Sequence, residues 1–359
     1  MSVSQLFIRS RDENILNSVL LELTYSCNLH CTFCYNDLNL RGRRVQLEGY
    51  KTLLDDLADM GVMSLTLSGG EPLMYQHFFE LGAYAREKGF VIKVKSNGIP
   101  LNLRNAQRLR AEVDPYVVET SMHGARAESH DRLTQVPGSF DRLLKNIEIL
   151  KSQGLRVKVN STLTRWNEAE VKDMFALADS MGFPLQFDPE VTPKDDGDLS
   201  PLEISPSKEG IKNMVRVSME RGRKASAEDV LPIVLKPDSR PPMNPARKKQ
   251  KVCGAGSTNV IVDPFGSVYP CVQFRRAVGN IHDHSITDIW ENSVELKNVR
   301  DLAERAQEVA VESGLKQFCM GVNELSTGDP LQSPASKLKI DEIYQRVHWE
   351  LQEEDPEVA

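Results

Sequence analysis

The chain has 359 residues, with 44 Lys and Arg against 51 Asp and Glu, which gives a formal net charge of −7. Hydrophobic residues make up 40% of it and charged residues 26%. This composition is typical of a globular protein and excludes disordered, fibrous and nucleic-acid-coating proteins. At about 150 residues per domain, the length predicts two domains, or one large α/β domain with an extension.

The N-terminal segment, residues 1–18, shows no targeting signal. Arg9, Arg11, Asp12 and Glu13 interrupt the apolar run that a signal peptide needs. No later stretch of the sequence reaches the roughly 18 apolar residues of a membrane span. We therefore expect a cytoplasmic protein that binds neither membranes nor nucleic acid.

Residues 19–191 alternate short strand-like runs with helical patterns, which indicates successive βα units and a parallel sheet. Six such units predict an α/β fold, a partial (β/α)6 barrel similar to part of a TIM barrel. The predicted strands are Val19–Thr24, Ser64–Leu67, Val91–Ser96, Tyr116–Ser121, Val157–Leu163 and Pro184–Asp188, and the predicted helices cover about 47–60, 76–88, 103–112, 138–153 and 168–181.

Polar and apolar residues alternate along these strands, whereas buried parallel strands usually form continuous apolar runs. Lys95 and Asn97 share one face, as do Asp188 and Glu190. If the apolar faces meet the helices, the polar faces line a lumen. A charged lumen is costly unless it is wet or binds a charged ligand, so the pattern predicts a cavity for a polar molecule. The alternative is that some of these strands are edges facing water.

The second half of the chain lacks this regular alternation of strands and helices. Residues 192–250 are rich in Pro, Asp and Ser and predict a linker with one helix near 207–222. Residues 251–330 show few helical repeats and contain three cysteines. A final helix, at about 336–352, lies in the C-terminal segment 331–359 and leads into an acidic tail.

Three cysteines directly follow the first strand: Cys27, Cys31 and Cys34, here called the front cysteines. We expect them at the C-terminal mouth of the sheet, where α/β folds bind ligands. In a reducing compartment such a cluster indicates metal binding or catalysis rather than disulfides. A structural zinc site needs four ligands, whereas three thiolates can hold an iron–sulfur cube and leave one iron open. The triad therefore favours a reactive cluster.

The second strand is followed by Gly69, Gly70, Glu71 and Pro72. Glycines let the backbone approach a ligand closely, and Glu71 offers a carboxylate to an ammonium group. The CX3CX2C triad, with Phe33 before its last cysteine, and this GGEP motif together resemble the radical S-adenosylmethionine (SAM) superfamily. The resemblance covers about residues 19–330, with 19–191 as the radical SAM core.

The resemblance implies roles for these residues. The front cysteines would hold a [4Fe-4S] cluster whose open iron is chelated by SAM, and Gly69 to Pro72 would bind the amino acid part of SAM. Phe33 would lie beside the adenine, and Asn97 and Ser121 would line the SAM pocket. Strand-end capping is the alternative for Asn97 and Ser121. One-electron reduction, from an external donor such as a flavodoxin or ferredoxin, would yield a 5′-deoxyadenosyl radical that abstracts hydrogen from a substrate.

The remaining cysteines, Cys253, Cys271 and Cys319, are here called the rear cysteines. With Gly266 they resemble the SPASM/Twitch extension of the same superfamily, which would occupy residues 251–330. The cysteine motif is degenerate, because no partner thiol follows Cys319 closely. We expect one auxiliary iron–sulfur cluster, and three inert packed thiols are the alternative.

By resemblance, the leading substrate is a ribosomally synthesised peptide that is cross-linked or oxidised. The alternatives are a small molecule, as in a dehydrogenase or a tetrapyrrole enzyme, and, remotely, a zinc-binding scaffold without catalysis. About 18 residues precede the first strand, too few for the leader-peptide recognition domain of many such enzymes, so a separate partner protein, or none, would deliver the peptide. Asp188 and Glu190 are the candidates for substrate contact or deprotonation. Lys95 and Glu119 are further candidates on the lumen side, but internal ion pairing explains them better.

Overall fold

The structure is a computed structural model and describes residues 3–227, 250–315 and 318–354. Its strands are β1 (Ser18–Glu22), β2 (Ser64–Ser68), β3 (Val91–Lys95), β4 (Val117–Ser121), β5 (Val157–Thr162), β6 (Leu185–Asp188), β7 (Asn259–Val262), β8 (Ser267–Tyr269) and β9 (Gly279–Asn280). Its helices are α1 (Val3–Asp12), α2 (Leu47–Asp59), α3 (Phe78–Glu87), α4 (Leu103–Arg108), α5 (Ala127–Thr134), α6 (Ser139–Ser152), α7 (Val171–Met181), α8 (Lys208–Ala227), α9 (Ile286–Asn292), α10 (Val294–Glu312), α11 (Met320–Thr327) and α12 (Ala335–Glu354).

The strands form one sheet with the order β6-β5-β4-β3-β2-β1-β7-β8-β9. Strands β1 to β6 pair in parallel, each with the strand that follows it along the chain, with helices in the connections. This arrangement confirms the predicted partial (β/α)6 barrel. Each predicted strand begins and ends within two residues of the observed one.

Alternation along the strands explains how the sheet is covered. Leu21, Leu65, Leu67, Val94 and Val118 are fully buried and belong to the main hydrophobic core. Burying such a side chain contributes roughly 1.5–3 kcal/mol relative to leaving it exposed. The residues between them point to the other face of the sheet, because side chains alternate along a strand.

Two regions differ from the sequence expectations. The prediction of few helices in 251–330 was wrong, because α9, α10 and α11 lie there. In α10, residues Leu296, Val299, Ala303, Ala306 and Ala310 recur every three or four positions and are buried, so the helical signal was present. Helix α8 is longer than the predicted helix in the linker, and residues 228–249 of that linker lie outside the described residues.

The rear segment continues the sheet of the core. Strand β7 pairs with β1 in parallel, and β8 and β9 add to it as antiparallel strands. At the other end of the sheet, α12 packs against α8, where Arg216 and Lys212 both form ion pairs with Glu350. Within the described ranges, no helix is long and apolar enough to cross a membrane.

Candidate active site

The front cysteines lie on the loop that follows β1, as expected. The Sγ of Cys27 accepts hydrogen bonds from the backbone N–H of Leu29 (3.5 Å) and from Nδ2 of Asn97 (3.6 Å). Burial raises the pKa of Cys31 to about 12, and the neighbouring Cys34 and Cys27 raise it further. The three thiols are therefore close enough for their charges to interact.

Gly69 and Gly70 bring the loop after β2 against the cysteine loop. The N–H of Gly70 donates to the carbonyl of Thr24 (2.7 Å), and the N–H of Glu71 donates to that of Ser26 (2.9 Å). Gly69 has a φ of +147°, and a Cβ there would lie 2.4 Å from the Thr24 oxygen. A Cβ on Gly70 would lie 2.7 Å from the Ser26 oxygen. Glycine is needed here for contact between two loops, a constraint that the sequence did not reveal.

Glu71 is fully buried, and its carboxylate binds protein donors. It accepts hydrogen bonds from the Ser96 hydroxyl (3.0 Å), the Asn97 N–H (2.8 Å) and the Leu73 N–H (3.1 Å). Burial raises the pKa of Glu71 to about 7, against the lowering effect of these bonds. Pro72 is buried and begins a short 3-10 turn. In this arrangement Glu71 fixes Asn97 beside Cys27, and a direct bond to the ammonium of SAM stays a prediction.

Phe33 packs against a buried histidine pair behind the cysteine loop. Its ring meets that of His123 edge-on at 4.6 Å, and His123 stacks on His130 at 5.9 Å. Burial lowers the pKa of His123 to about 3, and His130 adds to this effect. His123 is therefore neutral near pH 7, and its uncharged ring packs against the ring of Phe33.

The buried histidine predicts a pH dependence of stability. Because the folded-state pKa of His123 is depressed, its contribution to stability is present above about pH 6.5 and is lost as the pH falls toward 3. As the pH is lowered from about 7.5 to about 5.5, the parent protein should lose about 1 kcal/mol of unfolding free energy that His123→Phe retains. Urea unfolding of the anaerobic holoprotein measures this difference. Parallel stability curves for the two proteins would contradict it.

Charged groups of both signs face the lumen. Lys95 Nζ lies 3.7 Å from Glu119 Oε2, which confirms the expected ion pair. Asp188 is exposed at the end of β6, yet burial raises its pKa, and the adjacent Glu190 raises it further. A side chain that lines a lumen is accessible to solvent and yet surrounded by protein atoms, and Asp188 has both properties. Ser121 is half-buried at the end of β4.

Glu190 has a partner that the sequence did not suggest. Nζ of Lys337, on α12, lies 2.6 Å from its carboxylate, and both side chains are nearly buried. Burial raises the pKa of Tyr344, on the same helix, to about 12, and the charge of Asp188 adds to that shift. Helix α12 therefore closes the lumen beside the sixth strand. A contact between residues 147 positions apart leaves no signal in the sequence.

The rear cysteines also come together in space. Burial raises the pKa of Cys253 to about 12, and Cys271 and Cys319 contribute to the shift through their charges. Cys271 lies in a tight turn in which its carbonyl accepts a hydrogen bond from the Phe274 N–H (3.1 Å). A Cβ on Gly321 would lie 2.1 Å from the Gln273 oxygen, so α11 packs directly on this turn.

Both groups of thiols fit iron–sulfur clusters. Each group offers three closely placed, half-buried sulfurs. Three thiolates can hold an iron–sulfur cube and leave one iron open, and three is the number that each group supplies.

Comparison with known proteins agrees with this geometry. A family model described as the radical SAM superfamily matches residues 21–178, and one described as an iron–sulfur cluster-binding domain, SPASM, matches residues 253–313. The chain belongs to the radical SAM superfamily. It is a radical SAM enzyme with a SPASM segment, and the zinc scaffold is thereby set aside.

Individual relatives span most of the chain. AdoMet-dependent heme synthase of Methanosarcina barkeri is 28% identical over 337 residues, which cover 87% of this chain and 93% of the relative. Mycofactocin maturase MftC of Mycolicibacterium smegmatis is 27% identical over 325 residues, which cover 87% and 80%. SuiB of Streptococcus suis shares the fold, with a TM-score of 0.69 at 14% identity over 93% of this chain and 80% of SuiB.

Membership of the radical SAM superfamily assigns the cofactors. They are SAM and a [4Fe-4S] cluster, with auxiliary iron–sulfur binding in the SPASM segment. When bound, they supply a 5′-deoxyadenosyl radical on one-electron reduction. The front cysteines would hold the SAM cluster, Asn97 donates to Cys27, and Phe33 and His123 form an apolar support beside the loop. The rear cysteines would hold the auxiliary iron.

Proposed function

We propose that this radical SAM enzyme oxidises or cross-links a ribosomally synthesised peptide bound in the lumen of the partial barrel. The observation that carries this proposal is the accessible carboxylate of Asp188 at the end of β6. Within the described residues, Asp188 accepts the N–H of Glu190 (3.0 Å) and has no ion pair. Its carboxylate is therefore available to a substrate. The similarity to a mycofactocin maturase over most of the chain supports the same substrate class.

Asp188 would act as the proton acceptor. Removal of two hydrogens from the substrate takes one hydrogen atom, which would pass to the 5′-deoxyadenosyl radical, and then one proton and one electron. An oxidised iron–sulfur cluster would accept the electron, and the proton requires a base near the reacting carbon. Burial raises the pKa of Asp188, and a base is most effective when its pKa approaches the working pH. The Lys337–Glu190 pair on the adjacent wall holds the chain that carries Asp188 in place.

The test is anaerobic turnover with any short peptide encoded by a neighbouring gene, followed by mass analysis for the loss of two hydrogen atoms. We expect Asp188→Asn to keep SAM cleavage but to lower the rate of peptide product formation by about 100-fold. Asp173→Asn is the matched control, because Asp173 is an exposed residue on α7 whose ion-pair partner, Arg126, is also exposed. Unchanged product formation in Asp188→Asn, or SAM cleavage that leaves every peptide unmodified, would overturn the proposal.

A tetrapyrrole is the second candidate, because the heme synthase relative is covered over 93% of its length. Heme precursors carry several carboxylates, which Lys95 would attract and Asp188 would repel. The observation that favours the peptide is the accessible carboxylate of Asp188, which would act as a base on a C–H of that substrate. An iron tetrapyrrole with carboxylate side chains belongs in the same assay, and its modification in place of the peptides would establish the second candidate.

A further inference from the structure

A buried charge cluster lies between the radical SAM core and the rear cysteines. The two Nη atoms of Arg275 donate to the Glu22 carboxylate at 3.0 and 2.7 Å, and its Nε lies 3.0 Å from Asp195 Oδ2. Side-chain exposure is 9% for Arg275, 1% for Glu22 and 10% for Asp195. The Tyr25 hydroxyl also donates to Glu22 (2.9 Å). We call Glu22, Asp195 and Arg275 the charge triad.

The charge triad joins three distant parts of the chain. Glu22 ends β1, directly before the loop of the front cysteines, and Asp195 follows β6. The N–H of Asp195 donates to the carbonyl of Tyr35 (2.8 Å), the residue after Cys34. Arg275 comes four residues after Cys271. Its position connects the loop of one cysteine group to the turn of the other.

The position of Arg275 relative to the rear cysteines is fixed by the backbone. The turn from Cys271 to Phe274 is closed by a backbone hydrogen bond, and α11, which begins directly after Cys319, packs on that turn. The guanidinium of Arg275 also lies over the ring of Tyr269, 5.3 Å from its centroid. Tyr269 precedes Cys271 and Arg275 follows it, so this contact places the cation beside the turn that carries Cys271.

We propose that the charge triad sets the reduction potential of the auxiliary iron–sulfur cluster held by the rear cysteines, with Arg275 as the positioning residue that favours the reduced state. Reduction adds one electron, taken from a low-potential one-electron donor, and no bond forms or breaks. A nearby cation stabilises the added charge and a nearby carboxylate destabilises it. In a buried site both effects are stronger than in water. The cluster binding itself follows from the SPASM segment, and the proposal does not depend on the substrate.

The charge triad predicts shifts of opposite sign. In Arg275→Gln two carboxylates lose their cation, so we expect the midpoint potential of the auxiliary cluster to fall by about 59 mV or more, a tenfold change in the reduction equilibrium. In Glu22→Gln one carboxylate is removed, so we expect a rise. Arg275→Lys keeps the charge and should remain near the parent value. A purely structural role would not produce opposite shifts from two partners of one ion pair.

The experiment is a redox titration followed by electron paramagnetic resonance on the anaerobically reconstituted full chain, without peptide. Arg276→Gln is the matched control, because Arg276 is the next residue but is exposed and pairs with Glu324 at the surface. We expect no shift there, because water screens it. If Arg275→Gln does not assemble the cluster, the rise in midpoint potential expected for Glu22→Gln tests the proposal by itself. Shifts of the same sign, no shift in either variant, an equal shift in Arg276→Gln, or about four irons per parent chain would overturn the proposal.

Discussion

Replacing Cys31 with alanine should reduce dithionite-dependent 5′-deoxyadenosine formation from SAM to the level found without enzyme. The three front cysteines are the ligands available on the loop after β1, and two thiolates do not hold a four-iron cluster with one open iron. Chromatography of the nucleoside after anaerobic reconstitution with iron and sulfide measures the effect. An undiminished yield from Cys31→Ala would refute the assignment of the front cysteines.

Cys319→Ala is the matched control for that variant, because it removes one thiol from the rear group instead. We expect it to retain 5′-deoxyadenosine formation. Iron content should show that each variant loses one complete cluster: about eight irons per parent chain, and about four in either variant. Loss of SAM cleavage in Cys319→Ala at unchanged folding would show that the two groups do not act separately.

Breaking the Arg275–Glu22 ion pair should destabilise the folded protein by about 3–5 kcal/mol, because removal of one partner leaves the other charge buried and uncompensated. We expect this for Arg275→Met, measured as a shift in the urea-unfolding transition of the anaerobic holoprotein. The double variant Glu22→Gln with Arg275→Met should cost at least about 1 kcal/mol less than the sum of the single variants.

The exposed neighbour provides the reference for this cycle. Arg276→Met breaks only the surface pair with Glu324 and should cost no more than about 1 kcal/mol. If Arg275→Met proves as mild as Arg276→Met, the buried pair is not the stabilising contact that its burial indicates. Additive effects of the two buried substitutions would likewise count against direct coupling.

Local patterns in the sequence were sufficient for the core of the site. The front cysteines follow β1, and the motif from Gly69 to Pro72 follows β2, so both fall at the same edge of a parallel sheet. The alternation of polar residues placed Lys95 and Glu119 on the polar faces of their strands, and the ion pairing expected for them is present. These features depend on strand periodicity and strand order, which short stretches of sequence encode.

Other features required the folded chain. Arg275 and Glu22 are separated by 253 positions, and the run that contains Arg275 shows no motif. The depressed pKa of His123 arises from burial beside Phe33 and His130. The residues next to His123 in the sequence do not reveal this burial. Helix α10 is a different case, because its apolar spacing was visible in the sequence.

The sequence by itself determined the partial barrel, the radical SAM motifs and the three-plus-three division of the cysteines, since each follows from local periodicity or spacing. Only the tertiary structure decided that β7 pairs with β1, that α12 closes the lumen through Lys337, and that the charge triad lies between the two cysteine groups. Those contacts join residues far apart along the chain, and their energy depends on how much water the packed elements exclude from each pair.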